Sequence, residues 1–372
     1  VQDKLVKIYI AHLLSEIKNY NTFIKPLKSI YFGGGTPSIL TQKDLENIIF
    51  EMKAKFNFEK NIEISLETTP QNITLENIKS WEKIGINRIS FGVQTLNNKA
   101  LVEIGRKNND EIFKALNNLS KSNIKNISLD FIIGLPFVKR GEILENIKFI
   151  LQKYDFIKHI SVYMLEDYYD IESENTDIYE KITYPTDWSK TGLDEKYFIE
   201  EYLEILDFLQ EKGFFRYEIS NFAKSGYECM HNISYWNHEN NIGFGLGAHS
   251  FVNNSRFANV DDFMGYYSKK LSYSEKLTQN DIFLEKVLFS LRTGGISEVL
   301  AKKLNTNILQ DYIKEGYLQK KGDKIILNKK YTNLIDFIII LKSINQSLLD
   351  SLVYMVMCML VYILQKELKK NF

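Results

Sequence analysis

Hydrophobic positions in the first half of the chain follow two alternating periods. Short runs rich in β-branched residues, at 30–32, 62–66, 88–91, 127–131 and 159–163, read as strands. Most are followed by a polar turn and then by apolar residues at helical spacing. Leu45, Ile48, Ile49 and Met52 show it, as do Ile112, Leu116 and Leu119. A strand–helix unit recurring roughly every 30 residues predicts an α/β fold with parallel strands wound as βαβ. Thr41, three residues before Asp44, predicts a helix cap. Leu135-Pro136 predicts an abrupt strand end, because proline cannot donate to a ladder.

The second half is less regular. Residues 168–193 turn acidic and read as a loop excursion, followed by a long helix at 195–212 and a strand at 215–222. A loop-rich region at 229–251 is dense in His, Asn, Gly and aromatics. Residues 280–344 read as two or three helices and a hairpin turning at Gly322-Asp323, a small winged-helix-like appendage. The expected division is 1–275, 276–344 and a tail at 345–372. In that tail, 352–364 (LVYMVMCMLVYIL) is apolar throughout, shorter than the ~20 residues a bilayer span needs. Lys366, Lys369 and Lys370 follow it, so the run reads either as a buried or partner-facing helix or as a membrane-surface contact.

Composition narrows the function classes. Hydrophobic content of 44% and charged content of 25% are those of a globular protein. Lys+Arg equals Asp+Glu at 47 each, which points to no nucleic-acid partner. The 2 cysteines, Cys229 and Cys358, exclude a disulfide scaffold, fit a reducing cytoplasmic setting, and are too few for a cysteine-held cluster or a four-cysteine zinc site. No basic-then-apolar leader follows Val1, so no secretory signal is expected, and a start other than methionine predicts a truncated chain.

Candidate chemistry sits at the strand ends, where α/β folds place ligands. Gly33, Gly34 and Gly35 with Thr36 follow the first strand. They form either a tight turn or a loop whose backbone approaches a ligand closely. The run matches neither a Walker loop nor a dinucleotide fingerprint. Glu67, Gln94, Arg106 and Asp130 fall at or just beyond successive strand ends; their carboxylates suit ribose hydroxyls and the arginine a ligand carboxylate. The third cluster is CMHNISYW at 229–236. Either His231 or Cys229 could ligate heme iron, with Asn232, Tyr235 and Trp236 lining the pocket. The competing view is a well-filled turn in which His231 bonds backbone. Zinc at His231, His238 and His249 is disfavoured by spacing.

Together these residues resemble the oxygen-independent coproporphyrinogen III oxidase family of radical S-adenosylmethionine (SAM) proteins, in its branch of HemW-type heme chaperones. The likeness rests on seven ordered motifs: YFGGGTPS, ISLETTP, NRISFGVQTLNNKALVEIGRKN, ISLDFIIGLP, ISVYMLE, YEISNFAKSGYECMHNISYW and GFGLGAHSF. It implies a partial (β/α)6 TIM-type barrel. Gly33, Gly34, Gly35 and Thr36 would hold the SAM amino group, Glu67 its ribose, and Gln94, Arg106 and Asp130 would line the pocket. It also implies heme bound at HNxxYW with His231 on iron, a heme-accepting hemoprotein partner and monomer–dimer behaviour. The alternative within the family is decarboxylation of coproporphyrinogen. A third reading is a cluster-free remnant held at a membrane by 352–364.

One departure is large. The family's first strand and its CxxxCxxC loop, which holds a 4Fe–4S cluster, should precede the sequence now at 4–17. The expectation is therefore a barrel lacking its first strand, open beside 30–32, in a truncated chain without cluster ligands.

Overall fold

The computed structural model describes residues 2–20, 25–165, 195–304 and 306–328. The expected excursion at 168–193 and the tail from 329 onward, with its apolar run and Cys358, lie outside the described residues.

All five sequence-derived strands form. They are β1 (Leu27–Phe32), β2 (Phe58–Thr68), β3 (Arg88–Gln94), β4 (Asn126–Ile133) and β5 (His159–Met164), each parallel to the next. The strand expected at 215–222 is instead two short pieces, β6 (Phe215–Arg216) and β7 (Asn221–Ala223). They pair with each other antiparallel, and β7 adds antiparallel to β5. Glu218, Ser220 and Asn221 break the run because they turn inward to hydrogen bonds: Glu218 accepts from the Ser220 backbone N–H at 2.8 Å and from the Asn221 side chain.

The sheet order is β1-β2-β3-β4-β5-β7-β6, and the five parallel strands follow chain order without reversal. Right-handed crossovers that always step the same way put every helix on one side and curl the sheet into a half-barrel. Helices α1 (Gln2–Asn19), α2 (Gln42–Lys55), α3 (Leu75–Ile84), α4 (Asn98–Glu103), α5 (Asn109–Leu119), α6 (Glu142–Lys153) and α7 (Glu195–Glu211) accompany the strands. The cap at Thr41 is a full capping box with Asp44, worth about 1 kcal/mol to α2. Outward-facing Leu66, Ile89, Phe91, Ile127 and Leu129 join Leu45, Ile112, Leu116 and Ile147 in one continuous core.

The inner face differs. Parallel strands covered on both faces normally read as unbroken apolar runs. Here they alternate: Glu63, Ser65 and Glu67 on β2, Arg88 and Ser90 on β3, Asn126, Ser128 and Asp130 on β4, His159 and Ser161 on β5. Small polar residues cannot fill a barrel, so its interior is left for something else.

The chain then crosses the open side of the curl. Helix α8 (Met230–Trp236) lies against β1, the edge strand of the sheet. A small antiparallel sheet follows, β8 (His249–Val252), β9 (Ser255–Asn259) and, after α9 (Phe263–Tyr267), β10 (Leu271–Lys276). The final unit holds α10 (Gln279–Thr293), β11 (Ile296–Ser297), α11 (Glu298–Ala301), α12 (Thr306–Lys314), β12 (Leu318–Lys321) and β13 (Lys324–Leu327). Its hairpin turns at Gly322-Asp323 as the sequence predicts, and Leu288, Ile296, Leu318 and Ile325 form its own core.

Candidate functional site

A cavity of about 1610 Å³ runs from the inner face of the half-barrel past the β1 edge to α1 and α2. Pockets for single small ligands run to ~300–1,000 Å³, so this one has room for more than one bound molecule. Every candidate residue read from the sequence lines it, from the Gly33–Gly35 loop and Thr36 through Glu67, Gln94, Arg106 and Asp130 to His231, Asn232, Tyr235 and Trp236. The strand-end cluster and the HNxxYW cluster, distant in sequence, face one space.

The glycine loop is shaped by its neighbours. A side chain at Gly33 would place its Cβ 2.6 Å from the Tyr31 ring and 3.1 Å from Glu67, while Gly34 and Gly35 adopt φ of 71° and 96°. The Gly34 N–H donates to Glu67 Oε2 at 3.1 Å and the Tyr31 hydroxyl to Glu67 Oε1 at 2.7 Å. Gln94 ends β3 with φ of 63°, beside a register shift against β4, a left-handed conformation that is uncommon for a non-glycine residue at the end of a strand. Asp130 accepts from Ser90 Oγ at 3.1 Å and from Ser128 Oγ at 3.3 Å.

At the other wall, His231 stacks on Tyr31, with ring centroids 4.5 Å apart and planes 14° from parallel, and Tyr235 meets it edge-on at 4.7 Å. Its ring nitrogens make no hydrogen bond to the described residues; only its backbone N–H is engaged, by Glu63 at 3.4 Å. Burial, and secondarily the Arg88 guanidinium, lower its pKa to about 4. His231 is therefore a neutral imidazole with lone pair and N–H both available, and its ring is not bonded to backbone as a turn histidine's would be.

Cys229 is not an equivalent candidate. Burial pushes its thiol up to about 12, and its Sγ donates to Glu63 Oε1 at 3.5 Å, so it remains a protonated thiol. Trp236 has a second task, since its ring lies under the Arg292 guanidinium at 4.4 Å and meets Phe289 at 5.4 Å. His238 donates from Nε2 to Glu285 Oε2 at 2.7 Å, and His249 pairs with the Tyr273 hydroxyl at 3.2 Å. Among the described residues no three His, Cys, Asp or Glu side chains converge as a metal site. The same finding bears on an iron–sulfur cluster, for which the described residues provide no seat.

Residues 3–150 match the model of the radical SAM superfamily. Heme chaperone HemW from Buchnera aphidicola subsp. Schizaphis graminum is 33% identical over 339 residues, 85% of each chain. The HemW of Lactococcus lactis is 31% identical over 288 residues, 76% of this chain and 71% of that one. This chain belongs to the HemW family. Coproporphyrinogen III oxidase from Escherichia coli, a radical SAM enzyme, superposes with a TM-score of 0.73 at 18% identity, covering 91% of this chain and 84% of its own, and shares the fold.

Several residues that shape this HemW-family cavity escaped the sequence reading. Glu63 and Arg88 lie on the inner faces of their strands, and Tyr31 joins the two halves of the site. A signal was there. Ile-Ser recurs at 64–65, 89–90, 127–128 and 160–161, placing an inward serine on each of four adjacent strands.

Proposed function

We propose that this chain is a heme chaperone of the cytoplasm, binding heme through His231 and delivering it to a hemoprotein. One observation carries the reading: His231 faces the cavity as a neutral imidazole whose ring nitrogens are not engaged by the described residues. Metal ligation by histidine requires that state. Tyr31 and Tyr235 hold the ring in place without occupying its nitrogens.

SAM fits the other wall. The Gly33 cradle, which a side chain would fill, exposes backbone, and Glu67 is fixed beside it by Tyr31 and Gly34. In this proposal the glycine loop and Thr36 take the amino group, Glu67 the ribose, and Gln94, Arg106 and Asp130 close the pocket. When bound, SAM supplies an alkyl-sulfonium centre. The protein residues orient it and exclude water, and the described residues provide no seat for an iron–sulfur cluster.

The partner is a heme-accepting protein, and self-association as a homodimer belongs to the same proposal. Among the described residues no helix is long and apolar enough to cross a membrane. Coproporphyrinogen decarboxylation gains no support of its own, since the oxidase structure shares the fold alone.

Heme titration of the full chain against His231→Ala tests the reading. The parent should give a saturable Soret shift and the variant a weakened, displaced one. An identical Soret band and affinity in both would remove His231 as the ligand.

A further inference from the structure

Arg88 poses a problem that the proposed function does not solve. It is 2% exposed, yet among the described residues no carboxylate lies within ion-pair distance of it. Its guanidinium makes one hydrogen bond, Nη1 to Asn126 Oδ1 at 2.6 Å, and its Nε is buried without a partner. A buried charge is normally paired, because an unpaired one costs several kcal/mol of desolvation. Two other arginines on this cavity obey the rule: Arg292 pairs with Glu218 at 2.9 Å and Arg256 with Glu275 at 3.0 Å. Glu63, the carboxylate among the groups acting on Arg88, is already committed to the first turn of α8, accepting from the Met230 N–H at 3.1 Å.

Arg88 lines the cavity and lies close enough to His231 for its charge to depress the imidazole's basicity. A five-donor planar cation with unused donors matches one ligand chemistry best, a carboxylate held by charge-assisted hydrogen bonds. We propose that Arg88 is a carboxylate seat in the cavity, completing its pairing only when a ligand is bound. Resting on the heme reading, the carboxylate is assigned to a porphyrin propionate. Arg88 stands at the start of β3 on the His231 side, whereas Glu67 and Gln94 mark the opposite strand ends. The other source of the same chemistry is the amino-acid carboxylate of SAM.

The full chain and Arg88→Gln would each be titrated with heme, heme dimethyl ester and S-adenosylhomocysteine. In the parent chain heme should bind about tenfold tighter than its diester, the worth of one charge-assisted hydrogen bond. In Arg88→Gln the ratio should fall to about one, with the Soret position retained because His231 is intact. An unchanged ratio in the variant, or none in the parent, overturns the propionate seat. If instead the variant loses S-adenosylhomocysteine affinity and keeps the heme ratio, the seat belongs to the amino-acid carboxylate. If neither porphyrin binds the parent, the heme reading has failed, and unchanged S-adenosylhomocysteine affinity in the variant then overturns the seat as well. Should Arg88→Gln not fold, resonance Raman of the parent complex decides. A propionate-bending band at the position of the hydrated group overturns the proposal, and a shifted one supports it.

Discussion

The ring of Tyr31 lies flat against that of His231, 4.5 Å between centroids, while its hydroxyl reaches 2.7 Å to Glu67. One side chain thus touches the proposed heme ligand with its face and the proposed SAM contact with its tip. Burial, reinforced by Glu67, holds the Tyr31 phenol well above its ordinary pKa, so it stays a donor.

The two roles separate by mutation. Tyr31→Phe keeps the stack and should leave the heme Kd within about twofold. Tyr31→Ala removes it and should weaken heme about 2–10-fold, the range of an aromatic contact of ~0.5–1.5 kcal/mol. Soret titration of both variants checks this; equal losses in the two would assign the effect to the hydroxyl.

His231 sets the acid limit of heme binding. A proton competes with iron for the imidazole only as pH falls through its pKa, which burial and Arg88 hold at about 4. Affinity should therefore be level from pH 7 down to about 5 and fall below that. An unperturbed histidine would begin to lose iron near pH 6.5, roughly its ordinary value. A half-point above pH 6 in Soret titrations would contradict the buried, neutral imidazole.

The outer half of this fold was legible in sequence because outward residues obey simple periods. Leu45, Ile48, Ile49 and Met52 do mark a buried helix face, and the capping box at Thr41 forms as its spacing indicates. The motif residues at strand ends were legible too, since topology alone brings such positions to one rim. What stayed hidden depends on contacts between remote segments. Nothing local to Glu63 shows that it caps a helix 167 positions later, at Met230. Nothing local to Arg88 shows that it is buried unpaired. The split at 215–222 was hidden for the same reason, because the inward pull on Glu218 comes from Arg292 on α10.

Glu63 should prove to be the anchor of the HNxxYW helix. It accepts from the backbone of Met230 at 3.1 Å and His231 at 3.4 Å, satisfying first-turn donors with a charge that suits the positive end of the helix. Glu63→Ala should cost about 1–3 kcal/mol in urea unfolding, because those donors become unsatisfied. Glu63→Gln, which keeps an acceptor, should recover part of it. Identical losses would indicate that only the charge matters.

Acid should also destabilise the empty fold, through His159. Its ring is fully buried between the Ser128 hydroxyl at 2.7 Å and the Tyr217 hydroxyl at 2.8 Å, and desolvation, then Arg88, hold its pKa well below the ordinary histidine value. Below pH 6.5 the unfolded chain takes up a proton here that the folded one refuses. Stability is thus complete above about 6.5 and declines as pH falls, by up to about 1.4 kcal/mol per unit from this residue. Urea midpoints from pH 7 to pH 5 should show a shallower slope for His159→Gln than for the parent.

A buried ion pair holds the small C-terminal unit to the barrel. Arg292 of α10 reaches the barrel interior, where its Nε pairs with Glu218 at 2.9 Å, both side chains almost wholly buried. Its planar face covers Trp236 at 4.4 Å, so the same guanidinium fixes the end of the HNxxYW helix. Because Glu218 also organises the turn between β6 and β7, the pair joins three segments that are remote in sequence. Removing one partner strands the other as a buried charge, which typically costs ~3–5 kcal/mol. Arg292→Met and Glu218→Gln should each fall in that range. Their double variant should cost clearly less than the sum, because it leaves no isolated charge. Arg292→Lys should keep part of the pairing yet lose the flat contact with Trp236, and so should loosen α8 and weaken heme. A double-mutant cycle in urea, read beside Soret titrations, tests both parts. Full additivity would show that the two residues do not act as a pair, and unchanged heme affinity in Arg292→Lys would show that α8 does not depend on the stack.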